Sequence, residues 1–178
     1  MKIVVLIRNT VDCRVPLPPD TYDERPLPEG MINIINPSDW EALELGLRIS
    51  TQFGGKDVTV LTLGNKEAEE SLRWGLAAGA QRALRVWDEA LVDADQMGKG
   101  KVLAAALKKL QPDLVLCGDD CLDQLNSDLS GIAAAVAGIP YLPGVTELEI
   151  VEGGKADVVR RLEKGKRQRV RRMRFPGR

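Results

Sequence analysis

The chain has 178 residues, 44% of them hydrophobic and 29% charged, which suits one domain with its own core and excludes a disordered chain. Its net charge of −1 is unevenly spread: residues 155–178 hold eleven Lys and Arg against Asp157 and Glu163, and the remainder hold fourteen basic against 24 acidic groups. There is no histidine, so the commonest acid–base group and metal ligand is missing, and Cys13, Cys117 and Cys121 are spaced neither as a zinc framework nor as a redox pair.

Residues 2–7 (KIVVLI) form an unbroken apolar run ended by Arg8-Asn9-Thr10, the pattern of a central strand in a parallel sheet. The run is too short for a secretory leader or a membrane span, so the expectation is a cytoplasmic protein. Residues 13–30 carry Pro16, Pro18, Pro19, Pro26 and Pro28, too much proline for helix or ladder, and read as a long surface loop. A short extended piece follows at 31–35. Asn36-Pro37-Ser38-Asp39 opens a helix whose apolar face is Ala42, Leu45, Leu47 and Ile49, stopped by Gly54-Gly55.

Residues 57–63 (DVTVLTL) are a β-branched strand run closed by Gly64. A helix over 66–78 turns Leu72, Leu76 and Ala77 to the sheet. Residues 82–87 form a third strand, 91–110 a helix carrying Val102, Leu103, Ala106 and Leu107, and 112–117 a fourth strand ahead of Gly118. After an Ala-rich helix over 125–137 the pattern changes to alternating segments at 146–151, 156–162 and 170–175, separated by glycine turns. Here Val158, Leu162, Val170 and Phe175 are expected on one packed face.

The fold class is therefore α/β: a doubly wound, mostly parallel, Rossmann-like sheet with a C-terminal antiparallel β-hairpin on its edge. A single domain over 1–178 is expected, with a parallel core at 1–145 and a basic hairpin extension at 146–178.

In such a sheet, ligands bind beyond the carboxyl ends of the strands, where helix N-termini offer free amides. The polar strand ends are Ile7-Arg8-Asn9, Leu63-Gly64-Asn65 and Gly118-Asp119-Asp120, with residues 36–39 close by if their loop folds back. Ser127, Ser130 and Gly131 fall at the start of a helix, where hydroxyls and amides suit a phosphate; Asn126 or Ser127 serves equally well as a simple cap. Neither a Walker loop nor a G-x-G-x-x-G turn occurs.

Four segments in order carry a family resemblance. They are Lys2-Ile-Val-Val-Leu-Ile-Arg8 with Val11-Asp12; Asn36-Pro37-Ser-Asp-Trp-Glu-Ala42; Leu63-Gly64 with the stretch from Glu70 to Arg82; and Asp113-Leu-Val-Leu-Cys-Gly118 with Gly138-Ile-Pro140. The chain resembles the β subunit of electron transfer flavoprotein over nearly its whole length. The resemblance implies an AMP, or an FAD in electron-bifurcating members, held by Leu6, Asn36, Pro37, Ser38, Asp39, Leu63, Asp123, Asn126, Ser127, Asp128, Leu129 and Ser130. It also implies an α subunit bearing the redox FAD, a flavin dehydrogenase reached through the complex, and no catalytic residue in this chain. Where relatives commonly read Asn-Gln-Thr-Gly at the phosphate-facing helix start, this chain reads Ser127-Asp128-Leu129-Ser130. Two other readings stay open: a stand-alone ATP- or AMP-binding sensor of the universal-stress-protein type, and a nucleic-acid binder acting through the basic tail. The tail's arginines lack the interleaved aromatics that stack bases.

Overall fold

The computed structural model describes residues 1–14, 32–54, 57–122, 128–151 and 155–174. Its elements are β1 (Ile3–Leu6), β2 (Asn9–Val11), β3 (Asn33–Ile35), α1 (Pro37–Gln52), β4 (Val58–Leu63), α2 (Glu69–Ala77), β5 (Arg82–Val86), α3 (Gln96–Leu110), β6 (Leu114–Leu116), α4 (Leu129–Ala137), β7 (Val145–Val151), β8 (Lys155–Arg161) and β9 (Arg167–Arg174). Strands β5-β4-β1-β6, in that order, form a wholly parallel sheet. The chain moves outward from β1 through α1, β4 and α2 to β5, then crosses back past β1 to β6.

Alternate residues of the strands serve two layers. Ile3, Val5, Val58 and Val60 pack with Leu43, Ile49 and Leu72 on the α1/α2 side, whereas Val4, Leu6 and Leu61 pack with Leu103, Leu107 and Ala133 on the α3/α4 side. Burying each such side chain contributes about 1.5–3 kcal/mol, so a sheet covered on both faces needs no covalent staple. Right-handed crossovers account for the sorting of the helices, because outward and return paths then lie on opposite faces.

Two helices are phased differently from the sequence expectation. The segment expected as one helix over 66–78 begins with a 3-10 turn, Lys66–Ala68, capped by Asn65. Ser71, Leu72 and Gly75 face inward, while Leu76 is 43% exposed and Ala77 is exposed as well. Gly75 brings the helix backbone onto the sheet: a Cβ there would stand 3.0 Å from both methyl carbons of Val60. Helix α3 starts at Gln96 because Asp95 accepts the Gly98 N–H at 2.6 Å; residues 89–91 form a separate 3-10 turn. In α1 the buried stripe is Asp39, Ala42, Leu43, Gly46, Ile49 and Ser50, with Leu45 and Leu47 half-buried at its margins.

The polar residues after β1 form β2, which pairs antiparallel with β3. Most of the expected surface loop, residues 15–31, lies outside the described residues. The C-terminal extension is a three-stranded antiparallel sheet, β7-β8-β9, in line with the three alternating segments of the sequence. Among the described residues it has no ladder to the parallel sheet; it attaches through Leu148 and Ile150, which pack on the α1/α2-side core. Val158 is buried opposite Val170, as the alternation predicts. Leu162 is 36% exposed, because it leaves strand register at the β8–β9 turn, and Phe175 lies outside the described residues.

Candidate functional site: a crevice at the sheet's switch point

The strand order reverses between β1 and β6, and at such a switch point the carboxyl ends of the strands flank a crevice. The N-terminus of α1 stands over one face of it and that of α4 over the other. Arg8 follows β1, and residues 117–122 follow β6.

Asp39 joins three of these parts. Its carboxylate is 1% exposed and accepts hydrogen bonds from the Arg8 N–H at 3.0 Å, Arg8 Nε at 3.1 Å and the Gly118 N–H at 2.7 Å. Burial pushes its pKa above the usual carboxylate range, and the Arg8 charge and the two backbone amides pull it part of the way back. Burial also works against the Arg8 charge, but Asp39 outweighs it and raises the guanidinium's pKa. Gly118 has to be glycine for this approach, since a Cβ would collide with the Ser38 side chain and with Asp39.

A second lock holds the loop after β6. The Asp120 carbonyl accepts from Arg8 Nη2 at 2.6 Å, Asn36 Nδ2 at 2.7 Å and Ser38 Oγ at 3.0 Å. Asn36 Oδ1 accepts the Leu122 N–H at 3.2 Å. Asn36 stands at the N-cap position of α1 but makes no side-chain cap, because its amide is used across the crevice. The donors of residues 36–39 are thus turned toward the protein's own backbone, and they build the crevice wall.

The remaining expected site residues fall on several parts of the edge. Pro37 is the first residue of α1, Leu6 is buried in the α3/α4-side core, and Leu63 ends β4 half-buried. Asp128 precedes α4 without a side-chain cap, Leu129 packs into the α3/α4-side core, and the Ser130 hydroxyl bonds the Cys117 thiol. Burial raises the Cys117 pKa, and Ser130 offsets part of that rise. Asp123, Asn126 and Ser127 lie outside the described residues.

Sequence reasoning named Arg8 and Gly118 as strand ends but missed the Arg8–Asp39 link, which no local pattern reveals. It also missed Tyr141, whose ring lies against Gly131 in the first turn of α4. Burial raises the Tyr141 pKa, and Cys117, Asp119 and Asp128 add to the rise, so the phenol stands in an acid-lined part of the crevice. An aromatic directly after Pro140, in a chain with only 4% aromatics, was the available signal.

A separate open cleft of about 480 Å³ lies beyond the ends of β4 and β5, lined by Asn65, Lys66, Glu67, Arg85, Trp87 and Glu89. Among the described residues no group of three or more His, Cys, Asp or Glu side chains is arranged to hold a metal ion. No helix there is long and apolar enough to cross a membrane.

Comparison with known proteins supplies the family. The model of the electron transfer flavoprotein domain matches residues 29–176. The chain is 39% identical over 172 residues to an electron transfer flavoprotein subunit beta of Thermoanaerobacterium thermosaccharolyticum, covering 93% of this chain and 62% of the relative. It is 36% identical over 169 residues to the caffeyl-CoA reductase-Etf complex subunit CarD of Acetobacterium woodii, covering 93% and 63%. To Protein FixA of Azorhizobium caulinodans it is 34% identical over 173 residues, covering 93% and 60%. The chain thus spans about six-tenths of the length of these relatives. With a parallel sheet open at its switch point and a family match over most of its residues, the chain belongs to the electron transfer flavoprotein β-subunit family.

Proposed function

We propose that the chain binds an adenine nucleotide, AMP or FAD, in the crevice between the ends of β1 and β6. In this reading it is an electron-transfer subunit, not a stand-alone catalyst. It pairs with an α subunit that carries the redox FAD, and through that complex it serves a flavin dehydrogenase in the cytoplasm. Cys13, Cys117 and Cys121 stand as thiols, which accords with a reducing compartment.

The observation that carries the reading is the first turn of α4, which has no side-chain cap among the described residues and stands opposite the wall built by Arg8, Asn36, Ser38 and Asp39. Uncapped amides at a helix start favour an anion. The Tyr141 ring beside that turn offers a flat apolar surface. Locked strand ends hold this geometry before a ligand arrives, so little ordering cost falls on binding. When a flavin is bound, electron storage is its chemistry, and the residues of this chain supply position and electrostatics.

The test is nucleotide content. Protein purified at low salt and denatured by heat should release about one adenine nucleotide per chain, identified by mass, as expected of a largely pre-formed pocket. An empty supernatant, with no heat on titration of AMP, ADP or FAD into the folded chain, would remove the reading.

A further inference from the structure

The fold brings the turn of the basic extension to the rim of the crevice. Strand β8 runs toward the carboxyl edge of the parallel sheet and ends at Arg161, whose N–H donates to the Gly144 carbonyl at 2.7 Å. The Gly144 N–H donates in turn to Asp119 Oδ1 at 3.3 Å, in the loop after β6. Two hydrogen bonds therefore tie the end of β8 to the crevice. The turn is closed by the Leu162 N–H donating to the Lys166 carbonyl at 2.7 Å, and Lys164 takes a left-handed conformation, φ 57, at its tip. Arg161, Lys164 and Lys166 are exposed there, with Glu163 the one acid among residues 161–166.

Among the described residues the crevice is short of positive charge. Asp119 and Asp128 act on Tyr141 from within it, Asp120 lies between the strand end and residues 121–122, and Arg8 is already bound to Asp39. One phosphate can be met by the amides of α4, which carry no side-chain cap. A further anionic group would meet these acids without an answering charge, unless the turn supplies it. Lysine and arginine side chains are long enough to reach over a rim while their backbone stays fixed, and exposed cations beside a cleft raise the local concentration of an anionic ligand.

We infer that the turn at residues 161–166 is the outer, cationic wall of the crevice and selects a nucleotide bearing a second phosphoryl group, a nucleoside diphosphate or a dinucleotide, over a monophosphate. This rests on the nucleotide reading above and deepens it. The first phosphate belongs to α4; Arg161, Lys164 and Lys166 meet the second. The selection is electrostatic and weakens as salt rises.

Calorimetric titration of AMP, ADP and FAD into the 178-residue chain and into its Arg161→Gln/Lys164→Gln/Lys166→Gln variant tests it. The unaltered chain should bind ADP and FAD about tenfold more tightly than AMP, a size fitting three exposed charge contacts, with AMP affinity in the variant kept within about threefold. The variant should lose the preference. A preference that survives the substitutions, or none in the unaltered chain, overturns the inference while leaving AMP binding intact. No binding of any of the three by the unaltered chain overturns the nucleotide reading together with it. Should the triple variant fail to fold, Lys164→Gln alone, at the exposed tip, should lower ADP affinity and spare AMP; unchanged ADP affinity there overturns the inference equally.

Discussion

At the scale of single residues, Asp39 is the critical group of the crevice. It is buried on the inward stripe of α1, a position a helix normally gives to an apolar side chain, and only Arg8 and two backbone amides make it tolerable there. Replacing Asp39 with Ala leaves the Gly118 N–H without its acceptor and Arg8 without its ion pair. Because Arg8 remains partly solvated, we expect a loss of about 2–3 kcal/mol in urea unfolding, below the range for a fully buried pair. The pH dependence has a definite sign. The folded pKa of Asp39 lies above its ordinary value of 3.8, so the folded chain keeps this proton where the unfolded chain has lost it. Its contribution is fully present below the unfolded value and is lost as pH rises through the folded one. The stability of the unaltered chain relative to Asp39→Asn should therefore grow as pH is lowered from about 7 toward about 4. A difference that shrinks over that interval would mean the carboxylate, and not the acid, is the favoured folded form.

At the scale of elements, the phase of α2 gives the sharpest contrast between pattern and packing. Apolar spacing placed Leu72, Leu76 and Ala77 on the sheet, but α2 lies against it at Ser71, Leu72 and Gly75 and leaves Leu76 in solvent. Gly75→Ala raises helix propensity by up to about 1 kcal/mol, yet its Cβ meets Val60, which is fully buried at the centre of the sheet. Val60 has little room to give, so we expect net destabilisation of about 1 kcal/mol. Leu76→Gln should fall within about 0.5 kcal/mol of the unaltered chain. Paired chemical denaturation curves would separate the two phases, since an inward Leu76 predicts a large loss from the second substitution.

For the whole molecule, charge distribution is the property with most bearing on association. In the C-terminal sheet, Glu147 of β7 stands across Val159 of β8 from Arg169 of β9, and Glu149 stands opposite Asp157. Arg167 reaches Glu147 at 3.8 Å with both side chains largely exposed, a contact worth little to stability. The exposed Arg169 and Arg171 suit an acidic partner surface, and in the proposed complex that surface belongs to the α subunit. Replacing Arg169, Arg171 and Arg172 with Ser should weaken α-subunit association by about tenfold at low salt and less at high salt, leaving nucleotide content unchanged. A pull-down with the α subunit beside titration of labelled nucleic acid gives the readout. Tight nucleic-acid binding lost in this variant, with subunit pairing untouched, would favour the nucleic-acid reading of the tail.

The sequence by itself determined the class of fold and named the sheet edge proposed to take a ligand. Apolar runs bounded by Gly, Pro and Asn are local signals, and their alternation with helical patterns admits few architectures besides a covered parallel sheet. The family resemblance was legible for the same reason, since its motifs are the strand ends and the helix starts. What only the tertiary structure decided is non-local. The strand order β5-β4-β1-β6 placed the switch point between β1 and β6, and partners 31 and 79 residues apart in the chain became the Arg8–Asp39–Gly118 link. The approach of the β8–β9 turn to Asp119 depends on a bond from Gly144, whose neighbourhood carries no pattern that points there. Periodicity records which face of an element is apolar; it does not record which distant element will cover that face, because many pairings bury similar areas and only packing of the complete chain separates them.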